Sequence, residues 1–228
     1  MQGAGRAAVP PHCKRAATKQ RARRTPGKSA NGDRARYILF LALQLIFQLS
    51  AWAIPEEFSI DPQHTYATFE VNHLGISTQR GRFNETSGKV VLDPQGDNNN
   101  IEIKINARSI DTGNESMEKL LRGDDFFNTE KYPDILFNAR KIIFNNEKPE
   151  IIEGELTLLG VTKPVTLNVL SYNCTRKPFL IRLTCGIDAA AIIKRSEFGM
   201  NNLLSFVSDE VKLLIQVEAF KRQPAVTE

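Results

Sequence analysis

From Phe58 onward apolar and polar residues alternate with a period of two, which restricts the chain to strands with one dry and one wet face. Ala67, Phe69 and Val71 alternate with Thr68, Glu70 and Asn72, and Ile101, Ile103 and Ile105 with Glu102, Lys104 and Asn106. Val211, Leu213, Ile215, Val217 and Ala219 alternate with Lys212, Gln216 and Glu218. Similar runs cover 80–92, 134–144, 150–159, 164–172 and 179–193, divided by turn formers such as Asp93-Pro94-Gln95-Gly96 and Asn145-Asn146-Glu147. The spacing predicts roughly eight to ten strands in one β domain over residues 57–220.

One stretch departs from this period. Met117, Leu120 and Leu121 recur at helical spacing between Asn114, an N-cap residue, and Gly123, a stop, so one short helix is expected inside a long connection. So little helix cannot cover the dry face, which must close on itself as a sandwich or an antiparallel barrel. A barrel of about eight strands has an interior that is either filled by side chains or holds one small ligand, and alternation alone does not choose between them.

Of the 228 residues, 41% are hydrophobic and 25% charged, the balance of an ordinary globular chain. The net charge of +4 is unevenly placed: residues 1–53 hold ten Lys/Arg against the single Asp33, leaving the remaining residues net negative. Basicity confined to a removable tail argues against nucleic acid as a partner. After that tail comes the uncharged segment 37–55, then Ala51-Trp52-Ala53, the order of a secretory signal with cleavage after Ala53. The expected organisation is a basic tail and signal over 1–53, a folded domain over 54–228, and export. A start downstream of Met1, a transit peptide and an uncleaved signal anchor are the alternatives. Removal of Cys13 with the tail leaves Cys174 and Cys185, either a disulfide closing a short loop or two free thiols.

Catalytic motifs are scarce. The chain has no GxSxG, HExxH, GxGxxG or phosphate-binding loop. Ser116-Met117-Glu118-Lys119 matches SxxK without the partner motifs that give it meaning. His64 and His73 are nine residues apart, on opposite faces of a continuous strand unless a turn near Pro62 or Leu74 intervenes. No metal site is expected.

Specific strings carry more. Phe58-Ser59-Ile60-Asp61-Pro62-Gln63-His64-Thr65, His73-Leu74-Gly75-Ile76-Ser77, Gly81-Arg82-Phe83, Ser109-Ile110-Asp111-Thr112-Gly113-Asn114, Asp125-Phe126-Phe127 and Tyr132-Pro133-Asp134-Ile135 follow one another in order. They continue through Gly154-Glu155-Leu156-Thr157-Leu158-Leu159-Gly160-Val161-Thr162-Lys163-Pro164-Val165, Lys194-Arg195-Ser196-Glu197-Phe198-Gly199-Met200 and Asp209-Glu210-Val211. This series resembles the YceI-like proteins, which are lipocalin-like and bind polyisoprenoids. Glu197, Ser208 and Glu118 depart from the residues usual there.

The resemblance implies an all-β, extended antiparallel barrel, typically periplasmic, whose apolar tunnel takes the isoprenoid tail of a quinone or polyprenyl phosphate. It carries no catalytic residues and no cofactor beyond that ligand, so a binding protein rather than an enzyme is expected. Candidate tunnel residues on the dry faces are Phe69, Val71 and Phe83, then Ile103, Ile105 and Phe137, then Leu156, Leu158, Leu167 and Val169, then Leu213 and Ile215. Phe126 and Phe127, between the helix and Pro133, belong to the same candidate set and could also form a lid over one mouth. The alternatives are a stress-response or interaction protein with a packed barrel whose loops bind another protein, and an enzyme acting on an isoprenoid or small periplasmic substrate with His64 or His73 beside Asp61. A homodimer is compatible with such a barrel, and membrane contact is expected to be transient unless the signal is retained as an anchor.

Overall fold

The structure, a computed structural model, describes residues 55–176 and 182–222; the predicted signal and its cleavage point after Ala53 lie outside them. Eleven strand segments form one antiparallel sheet. They are β1 (Glu56–Ile60), β2 (Tyr66–His73), β3 (Ser77–Phe83), β4 (Thr86–Leu92), β5 (Asn100–Asn106), β6 (Ile110–Asp111), β7 (Asp134–Asn145), β8 (Lys148–Leu158), β9 (Val161–Thr175), β10 (Thr184–Lys194) and β11 (Val207–Lys221). Among the described residues a single α-helix, α1 (Glu115–Arg122), interrupts them.

The segments make a closed barrel of eight staves, because three staves are broken strands. One edge of β11 pairs with β2 through Val207–Gln216 and then with β1 through Ala219–Lys221. On their far side β1 pairs with β4 and β2 with β3, and next β4 pairs with β5 and β3 with β6. From β5 onward, β7, β8, β9 and β10 follow in order back to β11.

Local chemistry explains the first break. Pro62 cannot donate to a ladder, and the Asp61 carboxylate accepts the Gln63 amide at 3.0 Å while lying 2.9 Å from His64 Nδ1. Tight turns join the long staves: Asn146 and Glu147, with φ of 48° and 64°, link β7 to β8, and Leu159 and Gly160, at 53° and 75°, link β8 to β9. Asn114 caps α1 as expected, its side chain accepting the Met117 amide at 3.1 Å, and Gly123 ends it.

The topology gives the barrel two distinct ends. The β2–β3, β6–β7, β8–β9 and β10–β11 connections lie at the helix end, and β4–β5, β7–β8 and β9–β10 at the other. Cys174 and Cys185 face each other across β9 and β10 at that second end and form a disulfide, their Cα atoms 4.0 Å apart.

Candidate functional site

The dry faces of the staves do not meet in the middle. They enclose a cavity of about 240 Å³ whose wall is almost wholly apolar. Along β11 its lining runs from Val207 through Val211, Leu213, Ile215 and Val217 to Ala219. The four steps from Val207 to Val211 are bulged and oppose only two steps of β2, so the lining spans about 33 Å of strand, or about 25 Å along the axis of a barrel with ordinary strand tilt. A volume this small over that length is a thin tunnel.

The structure places Phe69, Val71, Phe83, Ile103, Ile105, Phe126, Phe127, Phe137, Leu156, Leu158, Leu167, Leu213 and Ile215 in the tunnel wall. Val169, expected there, instead packs against the core without lining the lumen. It keeps the inward parity of Val165 and Leu167 and faces Ala189; the register between β9 and β10 shifts beyond it, between Asp188 and Ala189, so that Ser171 faces Asp188 and Tyr172 is the next residue of β9 in the lumen. Leu170 is the residue passed over by the shift and stands 65% exposed on the outer wall.

Several lining residues were not anticipated. Ile101, Ile135, Ile152, Val165 and Val217 occupy the same parity on strands already read as half-apolar, so alternation could have found them. Arg195 could not be found that way. It follows β10 and is 3% exposed, and its guanidinium donates to the carbonyls of Ser208, Met200, Asn202 and Val207 at 3.0, 3.1, 2.7 and 3.0 Å. Burial pushes its proton affinity down, and the Asp209 carboxylate partly offsets this. The Asp209 carboxylate in turn accepts the Ser196 amide at 2.9 Å and hydroxyl at 2.8 Å, contacts that hold its carboxyl below the usual carboxylate range. Together Arg195 and Asp209 fix the β10–β11 connection at the helix end.

The other cover of that end is the β6–β7 connection. It places Leu121, Phe126 and Phe127 in the wall, and the Phe127 ring meets Phe69 and Phe83 at centroid separations of 6.2 and 5.4 Å. Gly81 makes room for this cluster, since a Cβ there would lie 2.4 Å from Phe69 Cζ. At the opposite end Phe58, Tyr172 and Cys185 line the lumen, with the Tyr172 hydroxyl 3.2 Å from Cys174 Sγ. Burial, and then the Glu56 charge, pushes the Tyr172 phenol above its ordinary range.

Polar atoms in the wall are few. The Thr65 hydroxyl bonds the Glu218 backbone at 3.3 Å, and the Thr86 hydroxyl is buried with no partner among the described residues. The turn at Pro62 does break the strand, but the structure does not bring the histidines together. His64 sits exposed in that turn and His73 ends β2 at the helix end. Asp61 raises the proton affinity of His64, and the hydrogen bond lowers that of Asp61. This pair is on the surface, away from the lumen.

Residues 58–219 match the YceI-like domain. The UPF0312 protein plu2095 from Photorhabdus laumondii is 34% identical over 175 residues, which is 76% of this chain and 90% of that protein. The crystal structure of Campylobacter jejuni YCEI protein superposes with a TM-score of 0.57 at 29% identity, over 67% of this chain and 90% of that one. A polyisoprenoid binding domain from Saccharophagus degradans, implicated in plant cell wall breakdown, shares the fold with a TM-score of 0.53 at 17% identity, over 72% and 98%. By the match over nearly the whole barrel and by these relatives, the chain belongs to the YceI-like domain family.

Proposed function

We propose that this protein is an exported, periplasmic binding protein that holds the tail of a long-chain isoprenoid lipid in its tunnel. The observation that carries the reading is the tunnel itself, about 25 Å long and apolar from one end of β11 to the other. A shape of this kind suits one extended hydrocarbon chain and offers almost nothing to a polar solute. The polyisoprenoid named for the Saccharophagus domain has that form.

Energetics favour the same class. At about 0.8 kcal/mol per buried methylene, a dozen buried carbons supply about 10 kcal/mol before ordering costs are subtracted. Affinity then comes from burial, and the lipid's polar head, of the quinone or polyprenyl phosphate kind, remains at a mouth. Binding accounts for the geometry without a reaction step.

Prenyl alcohols of increasing length test this. Affinity should rise with each added isoprene unit until the tunnel is full and then level off. Affinity independent of chain length would contradict the proposal.

A further inference from the structure

Ten large apolar side chains are exposed among the described residues, and five of them, Leu74, Ile76, Leu203, Leu204 and Phe206, lie on two neighbouring tips at the helix end. Ile76 is 82% exposed and Phe206 54%. The tips are joined: the Leu74 amide donates to the Phe206 carbonyl at 2.8 Å, and Val207 is in register with His73. Clustering of this kind distinguishes an interaction surface from the scattered apolar residues of any protein exterior.

Charge follows the same boundary. Residues 73–79 and 199–208 contain no Lys, Arg, Asp or Glu, whereas the outer wall behind them carries Glu70 paired with both Arg80 and Lys212. Nor does the backbone call for these leucines. Leu74 and Leu203 have φ of 57° and 55°, in the left-handed region where Gly or Asn costs least. An exposed leucine at such a position is unfavourable twice over in water, once for its backbone and once for its side chain.

The patch adjoins, along both segments of the chain, residues that line the lumen. Phe206 adjoins Val207, and Leu74 lies beyond Val71 on the same stave; Val207 and Val71 both line the tunnel. An apolar chain moving from the tips to the lumen meets Arg195 as a lining cation, and that guanidinium is already committed to four carbonyls. Two uncharged tips of exposed apolar side chains match the headgroup and acyl boundary of a bilayer, which accepts such side chains without a complementary pocket.

We propose that the helix end docks on a lipid bilayer, with the 73–79 and 199–208 tips inserted, and that the tunnel exchanges its lipid there. This rests on the reading of the tunnel as a lipid site. The test uses the full chain carrying Trp52→Phe, so that a single introduced indole reports. In Ile76→Trp the indole emission should shift to the blue and be quenched when vesicles of brominated phosphatidylcholine are added. In Leu170→Trp, on the outer wall, it should do neither. Phe206→Ser added to Ile76→Trp should weaken vesicle affinity by about tenfold, the loss expected for one partly buried large apolar side chain.

An Ile76→Trp emission unchanged by vesicles, or equal quenching at both positions, would overturn the docking proposal. Native mass spectrometry on the same preparations separates this from the tunnel reading. Retained prenyl lipid without quenching at position 76 defeats docking alone, whereas quenching at position 76 alone, with no lipid ever retained, leaves docking standing and defeats the tunnel reading.

Discussion

Phe83 and Phe127 meet edge to face, their ring centroids 5.4 Å apart, so a residue of the barrel wall and a residue of the connection above it form one continuous apolar surface. The contact joins two segments that are remote in sequence, and it is where the tunnel is covered at the helix end.

Removing the Phe127 ring opens that cover. Phe127→Ala should speed release of a bound prenyl lipid by about tenfold or more, with the change in off-rate and little change in on-rate. Stopped-flow displacement measures both. The variant should lose about 2 kcal/mol of stability, less than for a fully buried phenylalanine.

Filling the lumen should abolish binding while sparing the fold. Leu213 points into the tunnel from β11, where space is free, so Leu213→Trp should cost about 1–3 kcal/mol in urea denaturation at most. Uptake of a long prenyl alcohol should fall by more than tenfold in the same variant. A comparable substitution at outward-facing Leu170 should leave uptake unchanged.

The disulfide between Cys174 and Cys185 closes a loop with a sequence separation of 11. In the chain-entropy account such a loop is worth about 3 kcal/mol through restriction of the unfolded chain. Cys174→Ser should lower the urea midpoint accordingly, and reductant should bring the wild-type protein to the same midpoint. The helix end should be unaffected, as read by hydrogen exchange at residues 196–208.

Acid should loosen the helix end. Because Ser196 donates twice to Asp209, its carboxyl has a lower pKa in the folded state than in the unfolded chain. The stabilisation is therefore present above the ordinary aspartate range near pH 4 and is lost as pH falls through the lower, folded value. Exchange protection of the Ser196 amide should hold from pH 7 to about pH 5 and decline below the ordinary aspartate range. In Asp209→Asn the decline should be absent.

Most of the fold was legible because alternation is a local signal. The parity of Ile101, Ile103 and Ile105 assigns each side chain to a face whatever the neighbouring strand is, and Asn114 and Gly123 bound α1 through their own side-chain and backbone chemistry. Closure was less legible. That β1 and β2 share one edge of β11 depends on pairings more than 130 residues apart in sequence, such as Phe69 with Leu213. The site divided in the same way. Leu156 and Leu167 were found by parity, Val169 has the inward parity but packs against the core without reaching the lumen, Tyr172 was missed because the register shift at Leu170 inverts the parity of β9 beyond it, and Arg195 was missed because a buried cation served by four carbonyls reads in sequence as an ordinary surface charge.

Native mass spectrometry with organic extraction, on the protein exported from a host that makes isoprenoid lipids, tests the central claim most directly. The account predicts one prenyl lipid per chain, lost in Leu213→Trp. Folded, disulfide-bonded protein that carries no lipid and takes up none when prenyl alcohols are supplied would contradict it.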